Sequence, residues 1–453
     1  MGKSKRSSRR LLTIRNPNAA GIDIGANRHY VAVPNDRDPN PVQSFKCFTP
    51  DLHRMAKWLK ACDIETVAME STSVYWIPVF QILEKYGFEV LLVNARHVKN
   101  VPGRKTDVKD SQWLQELHSF GLLRGSFRPN DAICVLRSYI RQRDNLIKSA
   151  SKHVLRMQKC LTEMNVQLHR AISDITGVTG TAIIEAILSG EYDPKKLAKH
   201  RNHRIKCTEN DLIEALTGDY REEHLFVLQQ EHSLYKIYQK KLIECDEVIE
   251  AYYHKLEQEL PQKELPVLEQ KSRKKSSQKN APNYDLRGML YRITGNDFTV
   301  IPGLDALSIQ TIIAEVGLDP TKWRTEKHFV SWLGLSPANK ISGDKVLSSR
   351  TRKVVNRAAI AFRIAANALS RTQTGLGAFC RRLKSRMGAT KAITATARKI
   401  AILFYQMLRY DQDYVEKGVE YYEKKYEQRI LHNMEKKAKI MGYSLVKNGG
   451  AMT

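Results

Sequence analysis

The sequence has no paired cysteines of the CxxC kind, no internal repeat, no apolar run long enough to cross a bilayer, and comparatively little acid. Its seven cysteines stand singly at positions 47, 62, 134, 160, 207, 245 and 380. That spacing indicates neither a zinc site nor a disulfide framework, and it fits reduced thiols in a cytoplasmic protein. No stretch of about 18 apolar residues occurs, so no membrane span is expected. The opening MGKSKRSSRRLLTIR is basic but lacks the apolar core of a secretion signal. Acid is outnumbered, with 48 Asp and Glu against 74 Lys and Arg, a formal net charge of +26 over 453 residues. An excess of this size calls for a polyanionic partner. Hydrophobic content of 42% is enough to build real cores, and the length suits two or three domains.

What is present falls into distinct stretches. NAAGIDIGANRHYVAV (18–33) reads as a strand, a tight glycine turn and a second strand, and PVQSFKCF (41–48) as a third. A helix over 51–61, a strand over 65–70, a helix over 76–86, a strand over 88–94 and a helix from Asp107 to Phe120 follow. A meander giving way to alternating strands and helices predicts an α/β domain with a mixed sheet. From about 130 to 170 a long helix is expected, with Leu136, Ile140, Ile147, Val154, Leu155, Leu161 and Leu168 as seam positions, and a second over 222–257. Such a pair predicts a coiled-coil or bundle module. Pro261, Pro266 and Pro282 then surround KSRKKSSQK, nine residues with five bases and no acid, which reads as a basic linker. Between Lys340 and Arg409 stand sixteen Lys and Arg and one acid, Asp344, among Ala, Ile and Leu, which predicts a folded basic helical domain. The expected boundaries are 16–128 for the α/β domain, 129–260 for the coiled-coil region with an insertion, 261–296 for the linker, 297–410 for the basic domain and 411–453 for a helical extension.

Four carboxylates invite attention. Asp23 lies in a strand expected to be buried, where an ionised side chain between Ile22 and Ile24 is expensive without a partner. Glu70 ends another strand, and Asp107 and Asp110 share a helix face at i, i+3. A hard cation such as Mg²⁺ takes a few carboxylate oxygens plus water, and paired ions serve phosphodiester chemistry. Taken singly, Asp107 fits equally a helix N-terminal acid, Asp110 a solvated charge, and Glu70 a cap. Ser342 precedes Gly343 in LGLSPANKISGDKVLSS, flanked by Lys340 and Lys345. A serine needs a base or a metal to become a nucleophile, and only Asp344 and the more distant His328 lie near in sequence. An ordinary turn is the plainer reading of the same residues, and Ser336, Ser348 and Ser349 compete with Ser342. FTVIPGLDALSIQTIIAEVG resembles a helix-hairpin-helix whose Pro302–Gly303 turn would offer backbone N–H groups to a phosphate.

The order GIDIG, ME followed by STSVYW, KTDVKD, IPG and GLSPANKISG resembles the IS110 family of insertion-sequence transposases, over roughly 18–170 and 297–410. The resemblance implies a RuvC-type RNase H fold in the N-terminal domain, with Mg²⁺, or alternatively Mn²⁺, held by Asp23, Glu70, Asp107 and Asp110. It implies a C-terminal transposase domain with Ser342 as the nucleophile, a tetramer with composite sites, donor and target DNA as substrates, and a non-coding bridge RNA as guide in a prokaryotic, nucleoid-associated setting. Lys105, Lys109, Pro302, Gly303, Lys340, Gly343, Lys345, Arg350, Arg352, Lys353 and Arg357 are the expected nucleic-acid contacts. Two departures stand out. TRKVVNR (351–357) carries Val355 where the family shows glycine, and the middle of the chain, about 190–290, is longer than the family pattern. A DNA invertase of the same family without a guide, a junction nuclease using only the acidic site, and a non-catalytic nucleic-acid scaffold are the alternatives.

Overall fold

The computed structural model describes residues 13–94, 107–260, 265–268, 279–343, 345–411, 414 and 418–446, with only the backbone of 107–108, 418–426 and 429. The expected contact Lys105, the neighbouring acid Asp344 and most of the basic run KSRKKSSQK lie outside the described residues. The chain divides into two compact units, 1–128 and 129–453.

The first unit is a five-stranded mixed sheet in the order β3-β2-β1-β4-β5. Strands β1 (Ala19–Ile24), β2 (Arg28–Ala32) and β3 (Val42–Lys46) form the antiparallel meander, and β4 (Thr66–Glu70) and β5 (Glu89–Val93) run parallel to β1. Helix α1 (Thr49–Ala61) starts at a proline in its first turn, where the missing N–H costs nothing. Its Leu52, Met55, Ala56 and Leu59 recur at helical spacing and are buried. They pack with α2 (Trp76–Lys85) and with Ala20, Ile22 and Ile24 on one face of β1. The other face receives α3 (Asp107–Ser119), which packs on β1 and β4. The mixed α/β architecture expected for this region is present.

The second unit is helical. Helix α4 (Asp131–Glu163) begins at Asn130, whose side chain accepts the Ile133 N–H at 3.1 Å. It ends at Met164, before Asn165 turns left-handed at φ +55, so Leu168 belongs to a separate short helix, α5 (Leu168–Ala171). Helices α6 (Val178–Leu188), α7 (Pro194–Ala198) and α8 (Glu209–Leu216) form a small apolar cluster with the end of α4 and with Leu228 of α9 (Glu222–Glu259). Helices α4 and α9 pack along one another. On α4 the buried residues Leu136, Ile140, Arg143, Ala150, Met157 and Leu161 follow a four-three spacing. Leu155, an expected seam residue, is instead 66% exposed, because Val154 and Met157 already occupy that turn of the seam.

Arg143 is the seam residue that apolar periodicity passes over. Its guanidinium pairs with Asp246 of α9 through Nε and Nη2, and Nη2 also donates to the Asn280 carbonyl at 2.7 Å. Burial opposes the charge, but the Asp246 carboxylate holds the guanidinium above its ordinary pKa. One to two turns earlier on α4, Arg137 donates to the last carbonyls of α11 (Ala306–Val316), through Nε to Ala314 O at 2.8 Å and through Nη2 to Glu315 O at 3.1 Å, while Arg141 grips the Glu315 carboxylate at 2.8–3.0 Å. These contacts dock the long helices onto the C-terminal helices.

Those helices are α10 (Leu286–Thr294), α11, α12 (Glu326–Trp332), α13 (Arg357–Leu369), α14 (Gly375–Met387), α15 (Ala389–Tyr410) and α16 (Gly418–Ile440). Phe298, Phe329, Phe362, Phe404 and Tyr405 are fully buried among them. Helix α10 stops at Gly295, φ +76, and only a 3₁₀ turn, Phe298–Val300, precedes Pro302–Gly303. The C-terminal domain is therefore helical as expected but not all-α. It contains a hairpin of β6 (Lys340–Ser342) and β7 (Lys345–Ser348), because β-branched and apolar residues flank the turn at Gly343.

Arg143→Ala should lower stability by about 3–5 kcal/mol by stranding Asp246 in the seam. The double variant Arg143→Leu/Asp246→Leu should recover most of that loss. Denaturant unfolding of the two variants checks both outcomes.

Candidate active site

The acidic residues are positioned by one close approach. A Cβ on Gly21 would lie 2.4 Å from the Ser111 carbonyl oxygen and 2.3 Å from the Gln115 nitrogen. Only glycine lets α3 press this near to β1. Gln115 Nε2 donates to Ala19 O at 3.3 Å and to Ser119 Oγ at 2.9 Å, and Thr66 Oγ1 lies 2.9 Å from His118 Nε2. Helix α3 therefore runs antiparallel to β1, with its first turn over the C-terminal ends of β1 and β4.

The pleat then assigns the carboxylates. Asp23 lies two residues beyond Gly21, on the face that α3 covers. In the parallel pair Ile22 aligns with Met69, so Asp23 and Glu70 are the next residues of adjacent strands. Glu70 shares its face with Thr66, which touches His118 of α3. Asp110 stands beside Ser111 in the first turns of α3, with one carboxylate oxygen buried, and Asp107 opens the helix. Glu70 Oε1 accepts from Thr72 Oγ1 at 3.3 Å. Among the described residues no three His, Cys, Asp or Glu side chains form a group able to hold a metal ion, and the Asp107 side chain is not among the described residues. The fold brings Asp23, Glu70 and Asp110 to one end of one sheet face. Lys109 is exposed on the same helix.

Sequence periodicity alone misses the supporting residues. Asp107, Asp110, Ser111, Leu114, Gln115 and His118 form one helix stripe, and Ser111 and His118 are buried. The signal is helical spacing carried by polar side chains, which apolar periodicity does not register. Burial holds His118 below the usual imidazole range. His29, buried beside Ile24 on the opposite face, is likewise lowered by burial and takes no part in the acidic set.

In the second unit, Ser342 ends β6 and pairs with Lys345 across the turn, as a strand-end residue. Gly343 has φ +51 with nothing within 4 Å of its Cβ position, which suits the first loop position of a primed hairpin turn. A bulge aligns Lys340 with Ser348 and Ile341 with Val346. Lys340, Ser342 and Lys345 consequently share one face, and all are exposed. Among the described residues none hydrogen-bonds the Ser342 hydroxyl, and His328 instead meets Thr325 at 2.8 Å. The hairpin base is closed by Ala338 N–H to Arg350 O at 2.9 Å and by the Pro337–Thr351 bridge. Ser348 Oγ is taken up by the Arg350 N–H at 3.3 Å.

The other expected contacts divide. Arg350, Lys353 and Arg352 are exposed, although Arg352 also donates to the Ser331 carbonyl. Arg357 is half-buried and ion-paired with Asp144 of α4 at 3.0 Å. Val355 is fully exposed, and its φ is not left-handed, so replacing glycine there imposes no strain. At Gly303, φ +87, a Cβ would stand 2.9 Å from the Ala365 carbonyl oxygen, so the Pro302–Gly303 turn lies close against α13.

Two family models match the chain. One, a transposase model of the DEDD type for IS110, matches residues 20–166, and the other, described as Transposase IS116/IS110/IS902 family, matches residues 296–379. No curated protein gives a significant match. The chain is an enzyme of DNA transposition. It belongs to the IS110 family of transposases, with DNA as its substrate.

Gly21→Ala should unfold or loosen the first unit, since the added methyl meets backbone on both sides. Gly343→Ala has open space and should cost only about 1–2 kcal/mol for the left-handed residue. Thermal melting of the two variants should separate them clearly.

Proposed function

We propose that the enzyme cleaves and rejoins DNA through a phosphoserine link at Ser342, working with a divalent metal site at Asp23, Glu70, Asp107 and Asp110. The observation carrying the reading is the register that sets Asp23 and Glu70 side by side under the first turn of α3. Carboxylates on two neighbouring strand ends, with Asp107 and Asp110 in the sequence of the helix that packs over them, are the donor type that a hard ion such as Mg²⁺ or Mn²⁺ takes. Bound there, the ion would supply charge stabilisation for phosphodiester transfer. The meander followed by parallel strands is the arrangement expected of a RuvC-type RNase H fold.

Ser342 Oγ attacks the phosphorus, the P–O bond to the leaving deoxyribose oxygen breaks, and that oxygen takes up a proton as the serine loses one. Attack by a deoxyribose hydroxyl on the phosphoserine reverses the step, so rejoining needs no ATP. Lys340 and Lys345 flank the hydroxyl and neutralise the phosphate. Arg350, Arg352 and Lys353, with the turn at Pro302–Gly303, hold backbone without reading bases. The serine lacks a local base among the described residues, so its activation comes from the acidic site, in a tetramer whose composite sites draw on different subunits. A bridge RNA selecting donor and target by pairing would leave the protein to hold backbone and shape. The assignment of 16–128 to the metal domain, 129–260 to a coiled coil that spaces protomers, 261–296 to a basic linker, 297–410 to the serine domain and 411–453 to an extension belongs to the same proposal.

Trapping the protein–DNA adduct and mapping the attached residue tests the chemistry. Attachment should fall on Ser342 and vanish in Ser342→Ala; attachment at any other residue overturns the assignment. Asp23→Asn and Glu70→Gln should each reduce cleavage by about 100-fold or more with the fold intact by circular dichroism.

A further inference from the structure

The stretch between the two family matches contains a surface the cleavage chemistry does not use. From Lys195 to Lys206 the twelve residues hold six Lys and Arg, two His and no acid. Helix α7 and the loop after it carry them on a fixed frame. Arg201 turns inward, with Nε donating to Cys207 O and Nη2 to Ile205 O, both at 2.9 Å. The Asn202 N–H donates to Thr179 Oγ1 at 3.0 Å, and Asn202 Oδ1 accepts from the Arg204 N–H at 3.1 Å. Leu197 and Ala198 anchor the segment in the apolar cluster. Lys196 is ion-paired with Glu191 at 3.1 Å. Lys195, Lys199, Arg204 and Lys206 are exposed, and among the described residues none of the four has an ion-pair partner. A rigid loop that displays four of its six Lys and Arg side chains without an ion-pair partner among the described residues is poised for a polyanion.

Aromatic residues adjoin this loop. Tyr192, three residues before Lys195, stacks on Tyr220 at 4.9 Å and 23°. It lines an open cleft of about 240 Å³ between α6 and α9, with Leu188, Leu225 and Phe226 as apolar walls and Gln229 and Glu222 as polar ones. Phe226 is 63% exposed although it sits beside this cleft. Basic residues that follow a backbone, next to aromatic faces that can take a base, are the two parts of a single-strand binding surface.

We infer that this helical insertion is a second nucleic-acid site, independent of the cleavage reaction: the Lys195–Lys206 loop holds phosphates, and an unpaired base enters the Tyr192–Phe226 cleft. An RNA loop and single-stranded DNA share that chemistry. In the full-length protein, Lys195→Gln/Lys199→Gln/Arg204→Gln/Lys206→Gln removes the charge, and Tyr192→Ala/Phe226→Ala removes the stack. All six positions are exposed, so folding should survive. Binding of oligo-uridylate, oligo-thymidylate and duplex DNA is measured across salt concentrations. The charge variant should lower the slope of log affinity against log salt by about 0.7 for each single-strand phosphate it no longer neutralises. The aromatic variant should lose about tenfold or more on single strands and little on duplex. Stronger loss on oligo-uridylate assigns the site to RNA, and equal loss on both oligonucleotides assigns it to any single strand. An unchanged salt slope in the charge variant, or an aromatic variant that keeps its single-strand affinity or loses duplex equally, overturns the site.

Discussion

The Ser111 carbonyl and the Gln115 amide stand where a side chain on Gly21 would be. That contact fixes the height of α3 above the sheet, and its direction follows from Gln115 reaching Ala19 and His118 reaching Thr66. Once both are set, the pleat of β1 and the parallel register of β4 leave Asp23 and Glu70 no other face to occupy. The acidic site is thus a consequence of one glycine and one register. A slip of a single residue in β4 would send Glu70 into the apolar layer with α1 and α2.

The same economy recurs in the second unit with charge in place of close packing. The seam of α4 and α9 carries Arg143 where an aliphatic residue would pack, and Asp246 answers it. Such a pair is weak evidence for net stability, yet it penalises any register that parts the two. Arg137 and Arg141 then tie the start of α4 to the end of α11. The consequence is positional: the helices that carry the hairpin of Ser342 are anchored to the long pair by directional bonds, while the hairpin itself stays exposed, with lysines on the serine's face.

Family membership assigns the chain to DNA transposition through two matched stretches, and the stretch between them falls outside both. That stretch is not loose chain. Its helices bury a shared apolar cluster with the ends of the long pair, and its basic residues are displayed on a loop held by Arg201 and Asn202. Like charge is costly to gather, so the concentration of exposed Lys and Arg on one rigid element separates it from the general basicity of the chain.

Much of the fold is legible in the amino-acid pattern alone. The strand and helix order of the first unit follows from period-two and period-3.6 patterns, because each element buries one face. Asp23 stands out as an acid between isoleucines. Local patterns do not reveal the polar stripe of α3, the exposed Leu155 or Arg143 in the seam. Each depends on which neighbour a side chain meets, and apolar periodicity is blind to polar residues that find partners. The hairpin around Ser342 is encoded in Lys-Ile-Ser and Lys-Val-Leu about a glycine, but the surrounding helical composition masks it. By itself the sequence determined which residues carry charge, hydroxyl and turn, since those are properties of single side chains. Only the tertiary structure decided that Asp23 and Glu70 share a face and that α3 lies over them, because register and close approach are relations between segments distant in the chain.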